Sequence, residues 1–255
     1  MDFLLYFQNH FKGFFPELFL SLAIFGLLVF GVIYSTSEKY NKVILVKTIN
    51  WLAIQTLVIT VVLILNNPIN NIVIFNDLLI IDDFSNAIKV IVSISSICCI
   101  LLSFEYLKDE KLYAFEYGLI LLLAILGIFL ITSSHNLISM YLAIELQSLS
   151  LYVIAAYKRN TKFSTEAGLK YFILGALASG FLLIGCSLMY GFTGLTSFSD
   201  FAKFFGGSLL YNDFYASSGI IIAVVFITIA LLFKLAAAPF HMWAPDVYEG
   251  APTSV

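Results

Sequence analysis

Charge is scarce in this chain. Only 11% of its 255 residues are Asp, Glu, Lys or Arg, and Arg159 is the sole arginine. Soluble domains carry about 25% charged residues, so this shortage alone excludes an ordinary water-facing globule. No basic patch is present, which argues against a nucleic-acid partner. Cysteine is equally sparse: Cys98, Cys99 and Cys186 are the only three. Two of them are adjacent and none stands in Cys-x-x-Cys spacing, so they read as small apolar packing residues rather than ligands of an iron–sulfur or zinc site. With only five prolines, one inside an apolar run marks a real interruption of a helix.

What fills the chain instead is hydrocarbon: 61% of residues are hydrophobic and the mean hydropathy is +0.98. The apolar runs form about seven stretches near the roughly 20 residues that cross a bilayer as a helix. They cover residues 14–35, 43–65, 84–104, 112–132, 136–157, 165–190 and 217–240. The first is long enough to span and no small-residue cleavage site follows it, so it reads as a retained helix and not a signal peptide. The expected fold is an all-α polytopic membrane protein with the bilayer as its surroundings.

Numbering the spans in order puts Lys39, Lys42, Lys108, Lys111, Lys158, Arg159 and Lys162 on one side and chiefly Lys12 and Lys203 on the other. The positive-inside rule assigns the first side to the cytoplasm or matrix and the N-terminus to the opposite face. Of the longer connections, 66–83 offers Ile72-Val73-Ile74-Phe75 as a short strand. Phe201-Ala202-Lys203-Phe204-Phe205, within 191–216, suits an amphipathic helix at the interface. The run Gly250-Ala251-Pro252-Thr253-Ser254-Val255 reads as a turn into a further helix, so the chain is expected to be the first part of something larger.

Four ionisable residues stand out because charge inside a bilayer costs roughly 2.5–3.5 kcal/mol at a helix centre on insertion scales. Lys234 ends the seventh apolar run, in Phe233-Lys234-Leu235-Ala236-Ala237-Ala238-Pro239, where Pro239 breaks the helix and frees backbone groups for other partners. Glu145 lies near the middle of the fifth span, and Lys234 is its candidate counter-ion. Such a pair passes a proton on when it is separated, because each partner's protonation depends on the other; a static pair fixing helix packing is the alternative. Lys170 lies about a turn and a half into the sixth span, and snorkelling to the basic side competes with a functional role. The small residues Gly175, Ala176, Ser179, Gly180 and Gly185 favour close packing that would bring it toward the fifth and seventh helices. His241 follows the break and suits either a proton relay or a structural hydrogen bond. His135, Lys47 and Lys89 read as solvated or snorkelling, and Glu17, just after Pro16, as a helix-start carboxylate.

The segment Phe233 to Thr253, FKLAAAPFHMWAPDVYEGAPT, closely resembles the antiporter-like membrane subunits of respiratory complex I. The Val247-Tyr248-Glu249-Gly250 run after Pro-Asp is similar to the branch of mitochondrial subunit 2 and bacterial subunit N, and the likeness extends along the whole chain. That resemblance implies a fold of about fourteen helices, three leading helices followed by two inverted repeats of five. Residues 1–110 would be the leading three and residues 111–255 four helices of the first repeat, with the remainder expected on a second chain. It also implies that Glu145 and Lys234 form the coupling pair and that Lys170 gates entry. No cofactor is expected on this chain; NAD, flavin, iron–sulfur clusters and ubiquinone would sit on other subunits. The partners implied are the other membrane-arm subunits of complex I. The implied place is the mitochondrial inner membrane with the N-terminus toward the intermembrane space, a bacterial plasma membrane being the alternative. The arginine-poor, Phe-, Ile-, Asn- and Tyr-rich composition suits an AT-rich organelle genome. The expected function is proton translocation driven by NADH:ubiquinone oxidoreduction elsewhere. A multi-subunit cation/proton antiporter subunit and a purely structural membrane-arm subunit are the rival readings.

Overall fold

The structure is a computed structural model that describes residues 10–35, 42–67, 71–110, 112, 114–206 and 217–253. Lys39, Lys111, Ser254 and Val255, used in the sequence reading, lie outside the described residues. The membrane-length helices follow the apolar runs closely: α1 (Phe15–Ser35), α2 (Lys42–Leu65), then a hairpin of β1 (Ile72–Ile74) and β2 (Leu79–Ile81), α3 (Asp83–Asp109), α4 (Glu116–Ser133), α5 (Leu137–Ala155) and α6 (Lys162–Thr193). A short interfacial helix α7 (Phe198–Phe205) precedes the apolar α8 (Ser217–Lys234), and α9 (Trp243–Gly250) follows the break. By length and composition α1 to α6 are each able to cross a membrane, and α8 is a shorter apolar helix. The expected strand at 72–75 and amphipathic helix around 201–205 are both present.

Local signals explain the boundaries. Asp82 caps α3 by accepting from the Ser85 amide at 2.8 Å while the Ser85 hydroxyl accepts from the Asp82 amide, a reciprocal capping box. Asn136 caps α5 through the Ile138 amide at 2.9 Å. Gly194 ends α6 in the left-handed conformation at φ 68°, which glycine adopts without a Cβ penalty.

In lipid no hydrophobic force drives apolar helices together, so close van der Waals contact between small residues must hold them. A Cβ on Gly127 of α4 would fall 2.7 Å from the Gln147 backbone nitrogen of α5, and one on Gly185 of α6 would fall 2.9 Å from the Ile227 nitrogen of α8. α1 to α4 close around a shared core built on Leu20, Ile24, Ile49, Leu57, Ile100, Leu122 and Phe129. A second core joins α5, α6, α7 and α8 through Ile144, Leu182, Phe201, Ala223 and Ala230. α4 links the two sets, since it packs on α1, α2 and α3 on one side and on α5 on the other. Cys186 lies in the second core, whereas Cys98 and Cys99 are exposed on the outer face of α3 rather than packed.

The boundary that shapes the site differs from the sequence reading. The seventh run was expected to continue to residue 240 and break at Pro239, but α8 ends at Lys234. Ala236 turns left-handed at φ 51°, Ala236 N–H donates to Phe233 O and Ala237 N–H donates to Leu232 O, both at 3.0 Å. These two bonds are the paired closure of a Schellman turn. The helix therefore finishes before its alanine run, Ala236 to Ala238, begins, and Pro239 lies in the turn rather than making it.

Candidate functional site

Lys234 is the last residue of α8, and the turn at Ala236 stops the helix at the point where its ammonium reaches α5. Lys234 Nζ donates to Ser148 Oγ at 2.6 Å and to Tyr152 Oη at 3.0 Å, and lies 5.5 Å from the centre of the Tyr152 ring. Ser148 and Tyr152 are buried at 5% exposure each. They stand three and seven residues after Glu145, a spacing that puts all three on one face of α5. The Glu145–Lys234 ion pair expected from the sequence is absent among the described residues. Two hydroxyls take the carboxylate's place, because Lys234 meets α5 beyond Glu145, nearer the Ala155 end. Glu145 Oε1 is buried without a hydrogen-bond partner among the described protein atoms. A buried polar atom of this kind calls for a proton, a water or a rearranged neighbour.

Aromatic packing closes the site on its far side. Tyr171 of α6 meets Tyr152 edge-on at 4.6 Å and stacks on Trp243 of α9 at 4.7 Å with the rings 12° from parallel. Trp243 in turn donates from Nε1 to Phe233 O at 3.1 Å, satisfying a carbonyl in the last turn of α8. Room for the Tyr152 phenol comes from Gly175 of α6, where any Cβ would overlap the phenol oxygen. Ser179, one turn further along α6, is buried with its hydroxyl unpartnered among the described residues.

Lys170 does not join this group. It donates to Asp246 of α9 at 2.7 Å and pairs with Glu166 at 2.9 Å, with 41% of its side chain exposed. α6 has 32 residues and so runs about 48 Å, longer than the roughly 30 Å hydrocarbon layer. A helix of that length leaves turns beyond the hydrocarbon, and Lys170, half exposed in its third turn, is taken by two acidic partners rather than by the α5–α8 site. Glu166, Lys170, Asp246 and Glu249 line a cavity of about 160 Å³ between α6 and α9. His241 is exposed on the turn after α8, and its backbone oxygen accepts from Ala244 N–H at 3.0 Å.

Sequence reasoning missed Ser148, Tyr152, Tyr171 and Trp243; the first two carried a readable signal in their spacing from Glu145. It also misread Lys89. Instead of snorkelling, Lys89 is 2% exposed and forms a buried ion pair with Glu17, itself 3% exposed. The partner stands 72 residues earlier, which no local pattern reveals.

Comparison with known proteins agrees with this architecture. Residues 134–255 match the family model described as NADH:quinone oxidoreductase/Mrp antiporter, TM. NADH-ubiquinone oxidoreductase chain 2 of Marchantia polymorpha is 48% identical over 98% of this chain and 51% of its own length. NADH-quinone oxidoreductase subunit N of Pelagibacter ubique is 43% identical over 94% of this chain and 48% of its own. A chain of respiratory complex I from Thermus thermophilus superposes with a TM-score of 0.73 at 26% identity, covering 94% of this chain and 48% of that one. A chain of the Mrp complex from Dietzia shares the fold with a TM-score of 0.69 at 19% identity, over 95% of this chain and 44% of that one. The chain thus spans about half the length of the relatives it matches. Residues 134–255 thus carry the NADH:quinone oxidoreductase/Mrp antiporter domain, and the chain as a whole is similar to about half of chain 2 and subunit N of NADH:quinone oxidoreductases.

Proposed function

We propose that this chain is a proton-translocating membrane-arm subunit, or part of one, of an NADH:ubiquinone oxidoreductase. The observation that carries the reading is the interior position of Lys234, held by two neutral hydroxyls, one turn along α5 from a buried and unpartnered Glu145 oxygen. An ion held in this way has a direct route for a proton. The Lys234 ammonium gives a proton to Ser148 Oγ, Ser148 passes its own to the Glu145 carboxylate, and Lys234 is left as the neutral amine. The reverse transfer restores the charge. A small rotation of the Glu145 side chain toward Ser148 completes the contact, and movement of the α8–α9 turn against Tyr171 and Trp243 controls it. Lys170, with Glu166 and Asp246, forms the mouth of this path on the basic side. In this reading the chain itself bears no redox centre, and electron transfer on other subunits drives the charge movement. The N-terminus faces the positive side of a mitochondrial inner membrane, and His241 lies outside the relay. An Mrp-type antiporter shares the fold; the 48% and 43% identities to oxidoreductase subunits favour the oxidoreductase.

The test is Glu145→Gln in the assembled complex, with proton uptake per NADH oxidised measured in sealed vesicles. The proton yield falls while assembly and NADH oxidation persist. An unchanged yield in a fully assembled complex would remove Glu145 from the path and favour a structural role for the chain.

A further inference from the structure

The buried Glu17–Lys89 pair lies outside the site just described. Glu17 is the third residue of α1 and Lys89 the seventh of α3, and both helices start from the same face of the molecule. α1 and α3 each pack mainly against α2 and α4, so the pair crosses the interior of the four-helix group on its diagonal. Removing both charges from water is expensive, and apolar residues of similar volume often serve packing as well or better. A pair kept only for structure is expected to have its lone pairs satisfied. Here Glu17 Oε2 is buried with no partner among the described protein atoms.

Two turns before Glu17 stands His10, 7% exposed. The bonds Phe14 N–H to His10 O at 3.1 Å and Leu18 N–H to Phe14 O at 3.0 Å carry the helical spacing between them, placing His10 about 10 Å outward of Glu17. His10 Nδ1 accepts from the Phe75 amide at 3.0 Å, which leaves the proton of the neutral ring on Nε2. On the inner side, Ser93 Oγ donates to the Lys89 carbonyl at 2.7 Å. Ionisable groups are thus lined up from the hairpin end of the leading helices into the bundle.

We propose that Glu17 and Lys89 are a second proton-transfer pair, with His10 at its outer end, exchanging protons with the face on which α1 and α3 begin. In the step, the Lys89 ammonium loses one N–H proton to the Glu17 carboxylate, giving neutral amine and neutral acid. Glu17 then releases that proton through water across the roughly 10 Å to His10. His10 Nδ1 lets go of the Phe75 amide to accept it while Nε2–H gives its own proton to the outer face, and Lys89 regains a proton from water on the bundle side. No electron or other group is exchanged. The inference rests on the proton-translocating reading above.

The test compares Glu145→Gln with the double variant Glu17→Gln/Lys89→Met, which removes both charges together and so leaves neither stranded. Each is assayed in the assembled complex for NADH oxidation and for protons moved per NADH. The expected result is assembly with electron transfer retained and a loss of proton yield equal to that of Glu145→Gln, with no further loss when the changes are combined. A full yield in the double variant alongside a reduced one in Glu145→Gln overturns this inference alone. A full yield in both overturns the function itself. Should the double variant fail to assemble, native complex is treated with dicyclohexylcarbodiimide, which reacts with protonated carboxyls in apolar surroundings, and the Glu17 peptide is weighed. An adduct that increases during NADH oxidation supports the pair; no adduct, or one indifferent to turnover, overturns it.

Discussion

At the residue scale the hydrogen bonds of Lys234 run to two hydroxyls rather than to the acid that draws the eye in the sequence. Glu145 and Lys234 were legible because charge is so rare in the chain, yet the structure joins Lys234 to Ser148 and Tyr152 and leaves Glu145 one step away. A hydrogen bond to a charged group contributes about 1.5–3 kcal/mol. At about 1.4 kcal/mol per decade, losing one would alter proton-transfer rates roughly ten- to a hundredfold. Ser148→Ala and Tyr152→Phe should therefore each slow proton movement per NADH in vesicles while leaving assembly intact. Ser148→Ala should be the more severe, because it removes the atom between donor and acceptor. Equal rates in Ser148→Ala and the parent would show that the proton bypasses the serine. Lys89 was illegible for the opposite reason: a lysine seven residues into a helix has the same local context whether it snorkels or finds a buried acid on another helix.

At the element scale, hydrophobic runs defined α1 to α6 to within five residues at each end, since length and polarity at the ends are local properties. The end of α8 is not local in that sense. Three alanines before Pro239 read as continuing helix, but the Trp243 indole takes the Phe233 carbonyl and a left-handed Ala236 closes the last turn. An L-residue other than glycine pays about 1–2 kcal/mol in that conformation. Ala236→Gly removes this strain but adds freedom to the unfolded chain, for a net change within about 1 kcal/mol. Ala236→Val, β-branched in a left-handed position, should lower thermal stability by more than about 1 kcal/mol and loosen Lys234 from Ser148. Thermal unfolding of the two variants in detergent checks this. Equal losses would mean that the turn at 236 does not define the helix end. Gly175 is a second element-level device invisible to periodicity, since only its neighbour's phenol shows why a side chain is excluded there.

At the scale of the whole molecule the two faces are joined in different ways. On the hairpin side the backbone itself is laced: Leu79 bridges Ser134, His135 N–H donates to Leu78 O, Asn136 bridges Ser197, and Phe198 N–H donates to His135 O. The Asn136 amide adds a bond to Thr196 Oγ1 at 2.9 Å and the Ser139 hydroxyl one to Leu78 O at 2.7 Å. On the opposite side the described connections rest mainly on side chains: Lys158 with Glu110 at 2.6 Å, Lys170 with Asp246, Tyr157 Oη with Ala114 O, and Ser164 Oγ with Ala155 O. The two exposed ion pairs contribute only about 0–1 kcal/mol each, so this side is held chiefly by the packing of Trp243, Ala244 and Val247 on Ala155 and Tyr171. In the proposed mechanism a shift at the α8–α9 turn would act on this side, while the backbone-laced rim, where the Glu17–Lys89 pair lies, would stay in register. Parting Lys234 from its serine would, in that mechanism, open the molecule toward one aqueous compartment and leave its seal against the other unbroken.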